Sequence, residues 1–357
     1  VETNVIYKEP CLETLRKMPA GFLDCVITSP PYWQLRDYGY EGQWGLEPTF
    51  QEYLAHLWEM MNEIYRVLKP TGTCWINLGD TYGTQSGNMA KPQESKHTDY
   101  AGDAIAIKQP KSIHKCLLLI PHRFAIGCID RGWIMRNDCI WAKRNAMPES
   151  TQDRFSKKHE YFFFMVKQEK YYFDLDAIRD KSKPLNRWGG NKLIAQGKSE
   201  WDKGTGQQSY RTRDMQPNDG MKNPGDVSDF WNIPTKPSTE KHYASYNDAL
   251  LMKPVLAGCP AGGLIYDPFM GTGSTAEVAL RTGRRFIGSE MSEEYVKICD
   301  RRVSPFLNNI FNVGSDHRSG SDRKPQANAG GNEPKPAAHS ETTQSVRETS
   351  ITGSDAQ

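Results

Sequence analysis

Two short stretches of this chain carry residue types whose spacing could do chemistry. The first is Thr28-Ser29-Pro30-Pro31-Tyr32-Trp33, which follows the β-branched run Cys25-Val26-Ile27. Such a run makes a buried strand, and two consecutive prolines permit neither helix nor further ladder pairing, so the strand must stop there. What remains is a stiff turn at a strand's carboxyl end that offers a hydroxyl, free carbonyls and an aromatic face. Taken alone, a proline pair at this place is a strand exit. With a partner it becomes a small polar clamp for a flat ring.

The second stretch supplies a partner. Leu264 to Glu290 reads as strand, glycine turn (Asp267-Pro268-Phe269-Met270-Gly271-Thr272-Gly273), helix, strand and acid. Glycines let the backbone turn sharply against a ligand, and an acid closing the next strand is placed for both hydroxyls of a ribose. The third glycine of a dinucleotide fingerprint is absent, with Ala276 in its place, and no Gly-Lys-Ser/Thr makes a P-loop. Asp267 would repel phosphate and attract a cation or an amino group. A ligand with a ribose, an amino group and a positive centre is S-adenosylmethionine. In an open parallel sheet such a ligand sits beyond the strand carboxyl ends where strand order reverses, so the strand ending at Thr28 is expected beside the Leu264 strand.

The elements around these stretches predict an α/β fold. Val5 to Tyr7 is a first strand. Thr49 and Glu52 fit a capping box for a long amphipathic helix running to Leu68, and Thr73 to Leu78 is a strand leading to Gly79-Asp80. A helix over 121–131 has apolar positions at Phe124, Ile126 and Ile129, and strands follow at 133–141 and 161–166. A helix over 247–256, a helix from Ser274 to Arg281, a strand at Arg285 and a helix capped by Ser292 complete the pattern. This alternation signals a mostly parallel, doubly wound sheet.

Between these parts lie segments of another kind. Residues from about 83 to 115 are rich in Gly, Ser, Gln, Lys and Pro and suggest a mobile insertion. Residues 179–222 carry ten basic against five acidic side chains, with Trp188, Trp201 and Tyr210 interleaved. That composition suits a surface that tracks phosphates and touches bases. From 312 onward large apolar residues are nearly absent, so a disordered tail is expected. The net charge of +2 assigns no partner, and no apolar run approaches the roughly 18 residues of a membrane span. The eight cysteines show no Cys-x-x-Cys spacing, which fits reduced, mostly buried thiols of a cytosolic-type protein, with no metal site.

Ser29-Pro30-Pro31-Tyr32 followed far downstream by Asp267 to Gly273 resembles the β class of DNA amino-methyltransferases, in which the catalytic motif precedes the cofactor motif. The resemblance covers roughly residues 5 to 305. It implies a Rossmann-like S-adenosylmethionine-dependent methyltransferase fold with circularly permuted motif order and an inserted recognition region. The implied organisation is a catalytic half over 1–178, a target-recognition insert over 179–240, a cofactor-binding half over 241–311 and the tail over 312–357. It further implies that Ser29, Pro30, Pro31 and Tyr32 hold a flipped base, and that Asp267, Phe269, Gly271, Gly273, Glu290, Thr28 and His242 line S-adenosylmethionine. Where the family has Phe-Pro after His242, this chain has Tyr246-Asn247, and Glu9-Pro10 stands where an acid for adenine usually follows glycine. Double-stranded DNA is the implied partner, a cognate restriction endonuclease a possible second one, and, for a prokaryotic or viral protein, the cytoplasm, in association with the nucleoid, is the implied setting. Serine at position 29, rather than Asp or Asn, leans toward cytosine N4 over adenine N6 and excludes the cysteine nucleophile of carbon-5 methylation. A protein or RNA methyltransferase and a non-catalytic DNA-binding module are the competing readings.

Overall fold

The computed structural model describes residues 1–83, 113–146, 149–179, 228–235 and 247–313, with backbone alone from 308 onward. Most of the expected insertion, nearly all of the basic segment, His242 and the tail after 313 lie outside the described residues.

In chain order the elements are β1 (Val5–Tyr7), α1 (Cys11–Lys17), β2 (Leu23–Thr28), α2 (Phe50–Val67), β3 (Leu68–Leu78), α3 (Ile120–Ile129), β4 (Ile134–Ala142) and β5 (His159–Val166). They continue with β6 (Phe230–Asn232), α4 (Asp248–Gly258), β7 (Leu264–Asp267), α5 (Ser274–Arg281), β8 (Arg285–Ser289) and α6 (Glu293–Val313). One sheet takes all the strands in the order β1-β8-β7-β2-β3-β5-β4-β6. The run from β1 to β3 is parallel throughout, whereas β5 is antiparallel to both β3 and β4. The sheet is therefore mixed on one side. The reason is local: β4 and β5 form a hairpin, with no crossover helix between them.

The period of two along the central strands explains why helices cover both faces. Val26, Cys74, Ile76 and Tyr266 pack into the core made with α1, α2 and α3. Their neighbours Cys25, Ile27, Trp75 and Ile265 pack into the core made with α4, α5 and α6. Strands buried on both faces read as continuous apolar runs, as β2 does. Strand order reverses between the parallel neighbours β2 and β7, since β3 follows outward on one side and β8 on the other, and there Cys25 pairs with Ile265 and Val26 with Tyr266. The clamp strand and the glycine-turn strand are thus neighbours at the switch point of the sheet.

Several boundaries differ from the sequence expectation. The Thr49 hydroxyl accepts from the Glu52 N–H at 3.2 Å and starts α2 as predicted, but the helix gives out at Val67 and Leu68 passes straight into β3. On α3, Phe124, Ala125 and Cys128 face inward, while Ile126 and Ile129 are exposed. Phe230 to Asn232, placed by the sequence inside the recognition insert, extend the sheet as an edge strand parallel to β4.

Candidate active site

At the carboxyl ends of β2 and β7 a cleft of about 560 Å³ opens. Of the residues singled out from the sequence, Ser29, Pro30, Pro31, Tyr32, Phe269, Gly271 and Glu290 line it, and Thr28, Asp267 and Gly273 do not. His242 is outside the described residues. Residues 240 apart in the chain therefore share one wall, and three of the expected ligand-touching groups stand behind it.

The clamp is held from several sides. Pro31 O accepts the Tyr53 hydroxyl of α2 at 2.8 Å, and Trp33 Nε1 donates to Glu47 O at 2.9 Å. Tyr32 places its hydroxyl against Glu160 Oε2 at 2.8 Å and Asn77 Oδ1 at 3.1 Å. Its ring lies on Gly79, where even a Cβ would come within 2.6 Å of the ring. Ser29 Oγ donates to the same Asn77 oxygen at 3.4 Å, and Asn77 Nδ2 is fixed by Tyr161 O at 2.9 Å. Asn77, Glu160, Lys143 and Trp141 all line the cleft beside the clamp, and Lys143 pairs with Glu160 while its Nζ lies 4.4 Å from the centre of the Trp141 ring.

Sequence reasoning missed these four. Asn77 left a signal, an amide in an otherwise apolar strand one residue from its end. Lys143, Glu160 and Trp141 left none, because only the hairpin brings them to the clamp.

Asp267 occupies a different place from the one expected. It is 1 % exposed and accepts from Thr28 Oγ1 at 2.6 Å, Thr275 Oγ1 at 2.6 Å and the Phe269 N–H at 3.0 Å. Burial pushes its carboxyl up to about 6, against the pull of those three donors. Rather than facing an amino group or cation in the cleft, it ties β2 to the start of the glycine turn and to α5. Glu290 sits at the cleft itself. One oxygen accepts the Gly271 N–H and the other the Ser292 N–H, each at 2.8 Å, and burial raises its pKa. Phe269 is steadied by an edge-on contact with Trp44 at 5.4 Å. Glu9 also reaches the cleft, with its oxygens taken by Thr14 and Lys17. Cys11 lines it too, but burial pushes that thiol up to about 12, which leaves it a poor nucleophile at neutral pH.

Comparison with known proteins bears on what this cleft serves. The family model described as DNA methylase, of the N6/N4 type, matches residues 23–301. The chain belongs to that family. This DNA methylase is 33 % identical to the Type II methyltransferase M.Cfr9I of Citrobacter freundii over 311 residues, which cover 87 % of this chain and 91 % of the relative. It is 26 % identical to the DNA adenine methyltransferase YhdJ of Escherichia coli K12, over 85 % of this chain and 83 % of the relative. Its fold resembles that of the PvuII DNA methyltransferase, a cytosine-N4-specific enzyme, with a TM-score of 0.56, 17 % identity and coverage of 87 % of this chain and 94 % of that one. Methylases of this family are S-adenosylmethionine-dependent and act on DNA.

Proposed function

We propose that this methylase transfers a methyl group from S-adenosylmethionine to the exocyclic N4 of a cytosine swung out of duplex DNA at a specific site. The observation that carries the reading is the meeting of the β2 clamp and the β7 glycine turn in one cleft at the switch point of the sheet. The residues suit the cofactor: the turn from Pro268 to Ser274 has no Lys or Arg for a phosphate, and Glu290 offers a carboxylate for a diol. S-adenosylmethionine supplies the methyl group on a positive sulfur.

The protein's share is positioning. An exocyclic amino nitrogen is a weak nucleophile because its lone pair is drawn into the ring. The Ser29 hydroxyl gives its hydrogen to Asn77 Oδ1, so its lone pairs are left to accept from the amino group, and the Pro30 carbonyl is a second acceptor. Two such acceptors hold the nitrogen pyramidal. Tyr32, locked by Glu160, Asn77 and Gly79, presents a fixed face for stacking on the base. Serine at position 29, rather than Asp or Asn, supports cytosine over adenine. The PvuII enzyme, similar in fold, is cytosine-N4-specific. The second reading, methylation of adenine N6, has the adenine methyltransferase YhdJ in its favour.

Nucleoside mass spectrometry of DNA treated with the purified protein and S-adenosylmethionine tests this. N4-methylcytosine is the expected product; N6-methyladenine would establish the second reading, and neither product would overturn both. Ser29→Ala is expected to lose about a hundredfold in kcat, the scale of one lost transition-state hydrogen bond, with DNA binding retained.

A further inference from the structure

The loop of the β4–β5 hairpin has a feature the reaction at the cleft does not use. Its neck is closed by the Lys143 N–H donating to Lys158 O at 2.9 Å, and the strands below pair Ala142 with His159. Trp141 and Lys143 on one side of the neck and Glu160 on the other line the cleft, so the loop rises from the rim of the base-holding end. Within this loop Phe155 is 98 % exposed, more than any other large apolar side chain among the described residues.

This exposure is built. On one side, Arg154 is anchored by Glu149 at 2.5 Å and lies over the Tyr82 ring at 3.9 Å, and neighbouring Asp153 is tied to Lys115 at 2.5 Å. On the other side, Lys157 donates to the main-chain oxygen of Asp80, just past the end of β3. Residues 154 and 157 are thus fastened to the body of the protein, and the ring between them is held out in solvent. The same loop carries Arg144 and the exposed Lys158, cations of the kind that meet a phosphate backbone.

A held-out aromatic ring costs solubility unless something covers it. A base taken from a duplex leaves a gap in the stack, and apolar side chains entering between base steps stabilise such distorted DNA. We propose that Phe155 is the wedge of this enzyme: its ring enters the duplex at the position the target nucleotide vacates. This assignment rests on the DNA methyl-transfer reading above.

The test uses short duplexes bearing the site mapped by sequencing DNA that the wild-type protein has modified. In one duplex the target base is paired, and in the other it faces an abasic position and leaves the helix easily. Phe155→Ala is expected to lower kcat/KM on the paired duplex by about tenfold to a hundredfold, the worth of one aromatic–base stack. On the abasic duplex it should come within about threefold of wild type, since the opening step is already made. Phe155→Leu keeps an apolar wedge and is expected to stay within about threefold on both. Equal activity of Phe155→Ala and wild type on the paired duplex overturns the wedge, as does an equal loss on both duplexes, which would mean a general binding or structural role. If the wild-type protein modifies no DNA, the methyl-transfer reading falls and the wedge with it.

Discussion

Asp267 shows how a residue can be conspicuous in the sequence for one reason and matter in the structure for another. As the acid before a glycine turn it invites assignment to a ligand, yet its three hydrogen bonds all run to Thr28, Thr275 and the Phe269 N–H. Its carboxyl titrates at about 6 in the folded chain, against an ordinary 3.8, because burial disfavours the charge. Between these values the folded chain holds a proton that the unfolded chain has released. The group's contribution to stability is therefore full below about pH 4 and is lost as pH rises through about 6, a change on the order of 3 kcal/mol. Asp267→Asn has no such proton to lose. The melting temperature of wild type minus that of Asp267→Asn is expected to fall as the pH rises from about 4.5 to about 7, and a gap independent of pH would show that this carboxyl is not shifted. The sequence gives away the residue type here but not its direction, since which oxygen meets which hydroxyl depends on β2, β7 and α5 packing side by side.

At the scale of elements, the glycine turn between β7 and α5 makes the same point. The sequence explains its glycines by close approach to a ligand, and Gly271 lines the cleft. Gly273 is required by the fold itself: it has φ of 85°, caps α5, and a Cβ there would come within 2.2 Å of Cys299 Sγ on α6. Gly273→Ala is expected to cost about 2–4 kcal/mol through backbone strain and overpacking. The measurement is the urea midpoint, which should drop with an unchanged slope. What made elements readable was local: a β-branched run for β2, Thr49 for the start of α2, and Ser292 for the start of α6, where its Oγ accepts the Tyr295 N–H at 3.2 Å. What hid others was the lack of any local signal. β6 has three residues with only Trp231 buried, and the first residues of β3 include Pro70 and Gly72, which argue against a strand. The hairpin loop that carries Phe155 has no periodicity at all.

For the molecule as a whole, the adjacency of β2 and β7 could be inferred only by pairing two motifs, because no local property of residues 23–28 points to residues 264–267. Once paired, they place both halves of the site on one sheet, and the compact unit built around that sheet runs from Val1 to Val313. The family match ends earlier still, at residue 301. Beyond Val313 the sequence has Val346 and Ile351 as its only large apolar residues. If the core and the cleft are complete without that segment, removing it should cost neither stability nor chemistry. A chain ending at Val313 is expected to melt within about 2 °C of the full chain, a difference of about 1 kcal/mol, and to methylate DNA at the same rate. A melting temperature lower by more than about 5 °C would show that residues after 313 pack on the fold, whereas unchanged melting with slower methylation confined to low DNA concentration would assign them to substrate capture.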